Sequence, residues 1–217
     1  VSAYLGQGSF KTLGRWAAIV LITITFNLII TFGCSLRFFN LSNLKPVLEH
    51  GVGELLSSGH TLGVIAFGEN FLLLAATGAL KRHESPYRAF LGGVGLGTVF
   101  LLAVVLRNTL VLGKAMLDTA LYPSFITARI VNPGAFLEHI ENLVSFNLIF
   151  LGLSKCALGL KFATMGTAKL LGLQGEEKRL TIPIALLSIA VCATSIANMQ
   201  GLIEFMDSYR FYALLPC

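Results

Sequence analysis

Long, unbroken apolar runs separated by short polar stretches dominate this chain. A helix needs about 20 apolar residues to cross the hydrocarbon core of a bilayer. Six segments of the sequence approach or exceed that length, at residues 16–36, 62–80, 90–113, 140–165, 181–199 and 201–217. The last is the weakest, because Glu204, Asp207 and Arg210 interrupt it. The runs are continuous and do not alternate, which argues against membrane strands. The pattern predicts an all-α membrane protein: a polytopic bundle of about six transmembrane helices in a single transmembrane domain over residues 1–217.

Composition sharpens this class. Hydrophobic residues make up 55% of the 217 and charged residues only 12%, with a mean hydropathy of +0.77. Soluble domains carry about a quarter charged residues, so lipid is the first partner implied. The net charge of +5 then bears on orientation. Lys11, Arg15, Lys81, Arg82, Arg88, Lys161, Lys169, Lys178 and Arg179 fall on one side of the predicted bundle. Arg37, Lys45, Lys114 and Arg129 fall on the other. By the positive-inside tendency the first span runs outward from the cytoplasm, although Glu176 and Glu177 weaken the inner excess. No basic stripe with interleaved aromatics occurs, which excludes nucleic acid as a partner.

Catalysis is the least favoured class. His60, His83 and His139 lie at span ends and His50 in a loop. No Ser-His-Asp order or HExxH helix is present, and the glycines of the third span lack the preceding strand of a dinucleotide site. Cys34, Cys156, Cys192 and Cys217 form no CxxC pair, so neither a disulfide framework, a metal site nor a cofactor is suggested. The chain opens at Val1 without methionine and closes on Leu215-Pro216-Cys217, which reads as a piece of a longer membrane protein.

Two outer connections are longer than hairpins need. Residues 40–59 carry Pro46, Gly51 and Gly53 around an amphipathic piece. In residues 114–138, Tyr122-Pro123 and Asn132-Pro133-Gly134 suggest a short helix bracketed by turns, either a lid over the bundle or an interfacial helix.

Within the second span, Gly68-Glu69-Asn70 interrupts an otherwise apolar sequence. A carboxylate at bilayer depth costs at least roughly 2.5 kcal/mol, so such residues usually face a cavity or a partner. Gly63 and Gly68 stand where backbone irregularity is cheap. An interrupted helix with a buried acid is a common way to bind a solute or ion at mid-membrane depth. The alternative is a carboxyl kept neutral or hydrogen-bonded to a neighbouring helix.

In the fourth span, Glu141 and Lys155 lie fourteen residues apart. That spacing puts them on one face but about 21 Å apart along the axis, too far to pair with each other. Each needs another partner or water, and Lys155 lies too deep to reach the surface easily. Asn147 and Ser154 share a stripe suited to hydrogen bonds across helices. Thr23, Thr25, Asn27 and Thr31 give the first span a polar side, and Arg107 reads as a snorkelling side chain. Gly93-x-x-x-Gly97 marks close helix packing.

Four stretches in order carry a family resemblance: Asn43-Leu44-Lys45-Pro46-Val47-Leu48, Ala66-Phe67-Gly68-Glu69, Leu121-Tyr122-Pro123 and the run from Pro133 to Glu141, with Lys155 following. Over essentially its whole length the chain resembles the B subunits of nutrient germinant receptors from spore-forming bacteria, the spore germination permeases. It departs from them at Ala66, where proline is usual, and at His139, where arginine is favoured. The resemblance implies a branch of the amino acid–polyamine–organocation transporter superfamily with a five-plus-five inverted repeat. This chain would then hold helices five to ten of ten, and the Glu69 span would be the discontinuous helix six.

What the resemblance implies about function is a receptor subunit in the spore inner membrane. It would bind a small nutrient such as an amino acid at Phe67, Gly68 and Glu69 and signal with A- and C-type partner subunits. Glu141 and Lys155 would form a gating or charge network. A permease with Glu69 as its coupling-ion site is the alternative, and a purely structural membrane subunit is a third reading.

Overall fold

The computed structural model describes residues 1–45, 51–70, 72–73, 85–131, 139–173, 175–195, 198, 200–202, 204–205 and 208. Among these the chain forms α1 (Ser2–Gln7), α2 (Phe10–Ser35), α3 (Val52–Phe67), α4 (Pro86–Thr119), α5 (Pro123–Ile130), α6 (Ile140–Leu170) and α7 (Glu177–Ser195). Short 3-10 turns at Leu36–Phe38 and Leu41–Leu44 follow α2. Four helical segments are long and apolar enough to cross a membrane: Phe10–Phe38, Pro86–Thr119, Ile140–Leu170 and Glu177–Ser195. They correspond to the first, third, fourth and fifth predicted spans. Most of the second half of the 62–80 span, and most of the last span, lie outside the described residues.

Apolar side chains turn outward, the reverse of a soluble domain. Ile19, Ile22, Phe26 and Ile29 form an exposed stripe on α2, while Asn27, Thr31 and Ser35 are buried on the other side. Thr31 and Ser35 hydroxyls donate back to the carbonyls of Asn27 and Thr31, at 2.9 and 2.6 Å. Such back-bonding satisfies a hydroxyl within its own helix.

The chain divides into two compact units. One comprises Val1–Leu13, Leu48–Glu84 and Cys156–Cys217. Here α1 packs on the second half of α6, where a methyl group at Gly6 would stand 3.4 Å from the Ala157 carbonyl oxygen and from Leu160 Cβ. Phe10 lies against Phe162 at 6.1 Å between ring centroids, and Lys161 Nζ sits 5.8 Å from the Phe10 ring. α6 stops at a left-handed Gly172 (φ 69°), with the Leu173 amide donating to the Ala168 carbonyl at 2.8 Å. This is the 6→1 bond of a glycine-terminated helix.

The other unit comprises Gly14–Val47 and Ser85–Lys155. In it α2 and the first half of α6 run antiparallel, fixed at three levels. Trp16 Nε1 donates to Ser154 Oγ at 2.9 Å, and Asn27 Nδ2 donates to Asn147 Oδ1 at 2.8 Å. Cys34 packs on the cluster of Ala128, Ile140 and Val144. The Asn147 and Ser154 stripe predicted to bond across helices does so. Interhelical bonds of this kind contribute about 0.6 kcal/mol each, rarely more than about 1.7.

α4 begins cleanly, with Ser85 as N-cap and Pro86 in the first turn. A proline there gives up an amide that has no intrahelical partner anyway. The helix breaks at Gly113, which has φ 67° and ψ 172°, at the end of the predicted 90–113 span. A positive φ interrupts the amide ladder, and the Leu110 carbonyl takes donors from outside the helix. The Asn40 amide reaches it at 3.1 Å and Asn43 Nδ2 at 3.0 Å. The 3-10 turn after α2 is thereby fastened to the end of the α4 span.

α3 differs from its predicted boundary, starting at Val52 and not near residue 62. Hydropathy reads apolar content, and the first two turns of α3 carry Glu54, Ser57, Ser58 and His60 on exposed positions. Gly51 as N-cap and Glu54 in the first turn are sound helix-start chemistry. Residues 40–59 are therefore largely 3-10 turn and helix where described. The short helix predicted between 114 and 138 is α5, which starts on Pro123; Asn132-Pro133-Gly134 lies outside the described residues.

Replacing Gly113 by alanine tests the break. Its Cβ would meet Asn43 Oδ1 at 3.1 Å, at a φ that L side chains rarely adopt. G113A is expected to destabilise the protein by about 1–3 kcal/mol, read as a lower thermal midpoint in detergent or nanodiscs. An unchanged midpoint would contradict the fastening.

Candidate functional site

The interruption around Glu69 has a definite backbone form. α3 is α-helical to Phe67, and residues 68–70 then wind into a tighter 3-10 turn. Single turns of this kind are frequent at the C-terminal ends of α-helices. Phe67, Gly68 and Asn70 are half-buried, and Glu69 is exposed on the chain's surface. An open groove follows the earlier part of α3, lined by Glu54, Leu55, Ser57, Ser58, Gly59 and Leu62, and does not include Glu69.

The role expected of the glycines changes. Gly68 has φ −57° and ψ −33°, ordinary right-handed geometry, so the winding change does not draw on glycine's conformational freedom. A methyl group at Gly68 would make only ordinary contact, 3.6 Å from Val64 Cγ1, and one at Gly63 would meet open space. Ala66 also lies inside regular helix. The change of winding coincides with the polar Gly68-Glu69-Asn70 itself.

The other candidates occupy α6. Glu141 stands in its first turn, where a carboxylate complements the helix dipole. Its Oε1 lies 3.3 Å from His139 Nδ1, its side chain is 18% exposed, and its Oε2 is buried with no hydrogen-bond partner among the described residues. Glu138 lies outside the described residues. Lys155 is exposed, fourteen residues along the same helix from Glu141; the rise of about 21 Å keeps the two apart. Glu69 falls in the first unit, and Glu141 and Lys155 in the second.

One polar cluster escaped the sequence reading. Arg107 is 2% exposed and does not snorkel. Its Nε and Nη2 donate to Asn108 Oδ1 at 3.3 and 2.9 Å, and Asn108 Nδ2 donates to Ser124 Oγ on α5 at 3.0 Å. The available signal was the Arg107-Asn108 pair itself. Two adjacent polar residues at that depth ask for an internal partner, where a single arginine asks only for reach.

Residues 1–200 match the family of spore permeases described as spore germination proteins. The chain belongs to this family. Spore germination protein A2 of Bacillus subtilis (strain 168) is 23% identical over 185 residues, 83% of this chain and 50% of that protein. The chain thus spans about half the length of this curated relative. No solved structure matches. With its four membrane-capable helices, this member of the spore germination family is an integral membrane protein, and the family is of permease or receptor type, not an enzyme family. Two stretches that carried the resemblance have structural roles here: Asn43 fastens the Leu110 carbonyl, and Tyr122-Pro123 starts α5.

The geometry at Gly68 gives a clean expectation. G68A is expected to leave stability unchanged or raise it slightly, by at most about 1 kcal/mol, read as an equal or higher thermal midpoint. A loss of stability on that substitution would show that glycine is needed for folding there.

Proposed function

We propose that this chain is the membrane-embedded part of a nutrient germinant receptor subunit. It binds a small solute such as an amino acid and passes the signal to A- and C-type partner subunits in the spore inner membrane. The binding segment is Phe67, Gly68 and Glu69, with Glu141 and Lys155 as charges that bias the receptor between its resting and signalling states. The observation that carries the reading is the 3-10 winding of residues 68–70, placed around an acid inside an apolar span, in a chain of the spore germination family.

The chemistry follows from the winding. A change from α to 3-10 geometry hands the amide bonds from i−4 to i−3 partners and tightens the turn that carries the side chains of residues 68–70. A carboxylate on that turn attracts an ammonium group or a cation. A half-buried Phe67 adds an apolar wall. An amino acid presents an ammonium, a carboxylate and a side chain, so the segment answers two of its three parts.

The family's permease character favours a second reading, in which solute crosses the membrane and Glu69 carries a coupling ion. Two experiments separate the readings. In intact spores, E69Q is expected to raise the half-saturating germinant concentration by tenfold or more, with G68A as the fold-neutral companion. An unchanged dose-response in both variants would remove this site assignment. In proteoliposomes, preserved ligand binding without driven accumulation of labelled solute is expected of a receptor, whereas accumulation favours the permease.

A further inference from the structure

A buried arginine in the second unit has no counter-charge among the described residues. Arg107 lies in the membrane-capable stretch Pro86–Thr119 and is 2% exposed. Among the described residues its hydrogen-bond acceptor is one neutral atom, Asn108 Oδ1. The ion pairs His139–Glu141 and Arg179–Glu176 do not involve it, and it has no carboxylate partner among the described residues. A guanidinium offers five N–H donors in a planar fork. One amide oxygen takes two of them, and no carboxylate among the described residues takes the rest.

The surroundings are built, because Asn108 is itself 6% exposed and is held by Ser124 on α5. That bond turns the Asn108 oxygen toward the guanidinium and fixes where its remaining donors point. A second, independent observation lies one turn further along α5. Thr127 is fully buried at 0% exposure, and its hydroxyl has no hydrogen-bond partner among the described residues. Ser124 and Thr127 share a face of α5 by their spacing of three, and that is the face on which Ser124 meets α4.

We propose that Arg107, positioned by Asn108 and Ser124, binds a carboxylate at the α4–α5 junction, with the Thr127 hydroxyl as a further donor. A carboxylate matches the guanidinium fork in a bidentate, charge-assisted pair. It also brings one negative charge against one positive, the least costly ion to bring into an apolar span. Two sources can supply it: a bound solute, or an acidic side chain of the protein or a partner subunit. The inference does not use Glu69 and stands apart from the site proposed above.

The test uses the intact protein in nanodiscs, with thermal unfolding followed while sodium acetate or L-alanine is titrated. Sodium chloride and L-alaninamide at matched ionic strength are the controls. A solute carboxylate predicts a saturable rise in midpoint with acetate and L-alanine alone. R107Q loses that rise, and R107K needs at least tenfold more carboxylate, because an ammonium is a point charge without the fork. If R107Q does not fold, R107K and T127V still report on the site.

A carboxylate from the protein predicts no response to either solute. In that case R107K forms a carbodiimide cross-link to an acidic peptide of the chain or of a co-purified subunit. A response equal in chloride, a response retained in R107Q, or the absence of both response and cross-link would overturn the proposal.

Discussion

Polar groups inside a bilayer have no water to fall back on, and this constraint shapes what is seen throughout the chain. Every backbone amide and carbonyl in the hydrocarbon region must find its partner within protein. The antiparallel contact of α2 and α6 meets that demand for side chains, through Trp16 to Ser154 and Asn27 to Asn147. The back-bonded hydroxyls of Thr31 and Ser35 meet it within one helix. The broken end of the α4 span meets it by borrowing donors, since Asn40 and Asn43 both serve the Leu110 carbonyl. These bonds hold α2, α4 and α6 of the second unit in register and carry α5 with them, through Ser124 on one side and Ala128 on the other.

Two kinds of irregularity emerge, with different origins. At Gly113 the backbone is left-handed, glycine is required, and the break is fastened by neighbouring residues. At Gly68 the backbone is right-handed and glycine is not required by its conformation. The first is a structural joint. The second changes winding around an acid, at the residues proposed above to bind the nutrient. Glu141 and Arg107 are a contrasting pair in the second unit: a carboxylate oxygen without a partner, and a cation without a counter-ion, among the described residues.

Much of this was legible in the sequence, because membrane spans are written in composition. The 16–36, 90–113, 140–165 and 181–199 runs became α2, α4, α6 and α7, and Pro123 opened α5 where turn chemistry placed it. Asn147 and Ser154 were legible because a seven-residue spacing puts both on one stripe. The start of α3 was not, since its first turns carry serines, a histidine and a glutamate that lower hydropathy without weakening a helix. Arg107 was misread because depth and side-chain length predict only whether an arginine can reach the surface. Whether it does depends on what Asn108 and Ser124 offer inside, and Ser124 comes from a different helix.

Under the proposed function, residues 67–69 contact the nutrient. Hydrogen exchange of the membrane-embedded protein, with and without a nutrient that triggers germination, tests it most directly. Slower exchange is expected at the amides of residues 67–70, dependent on nutrient concentration and absent with a non-germinant analogue. Unchanged exchange there under saturating nutrient would contradict it.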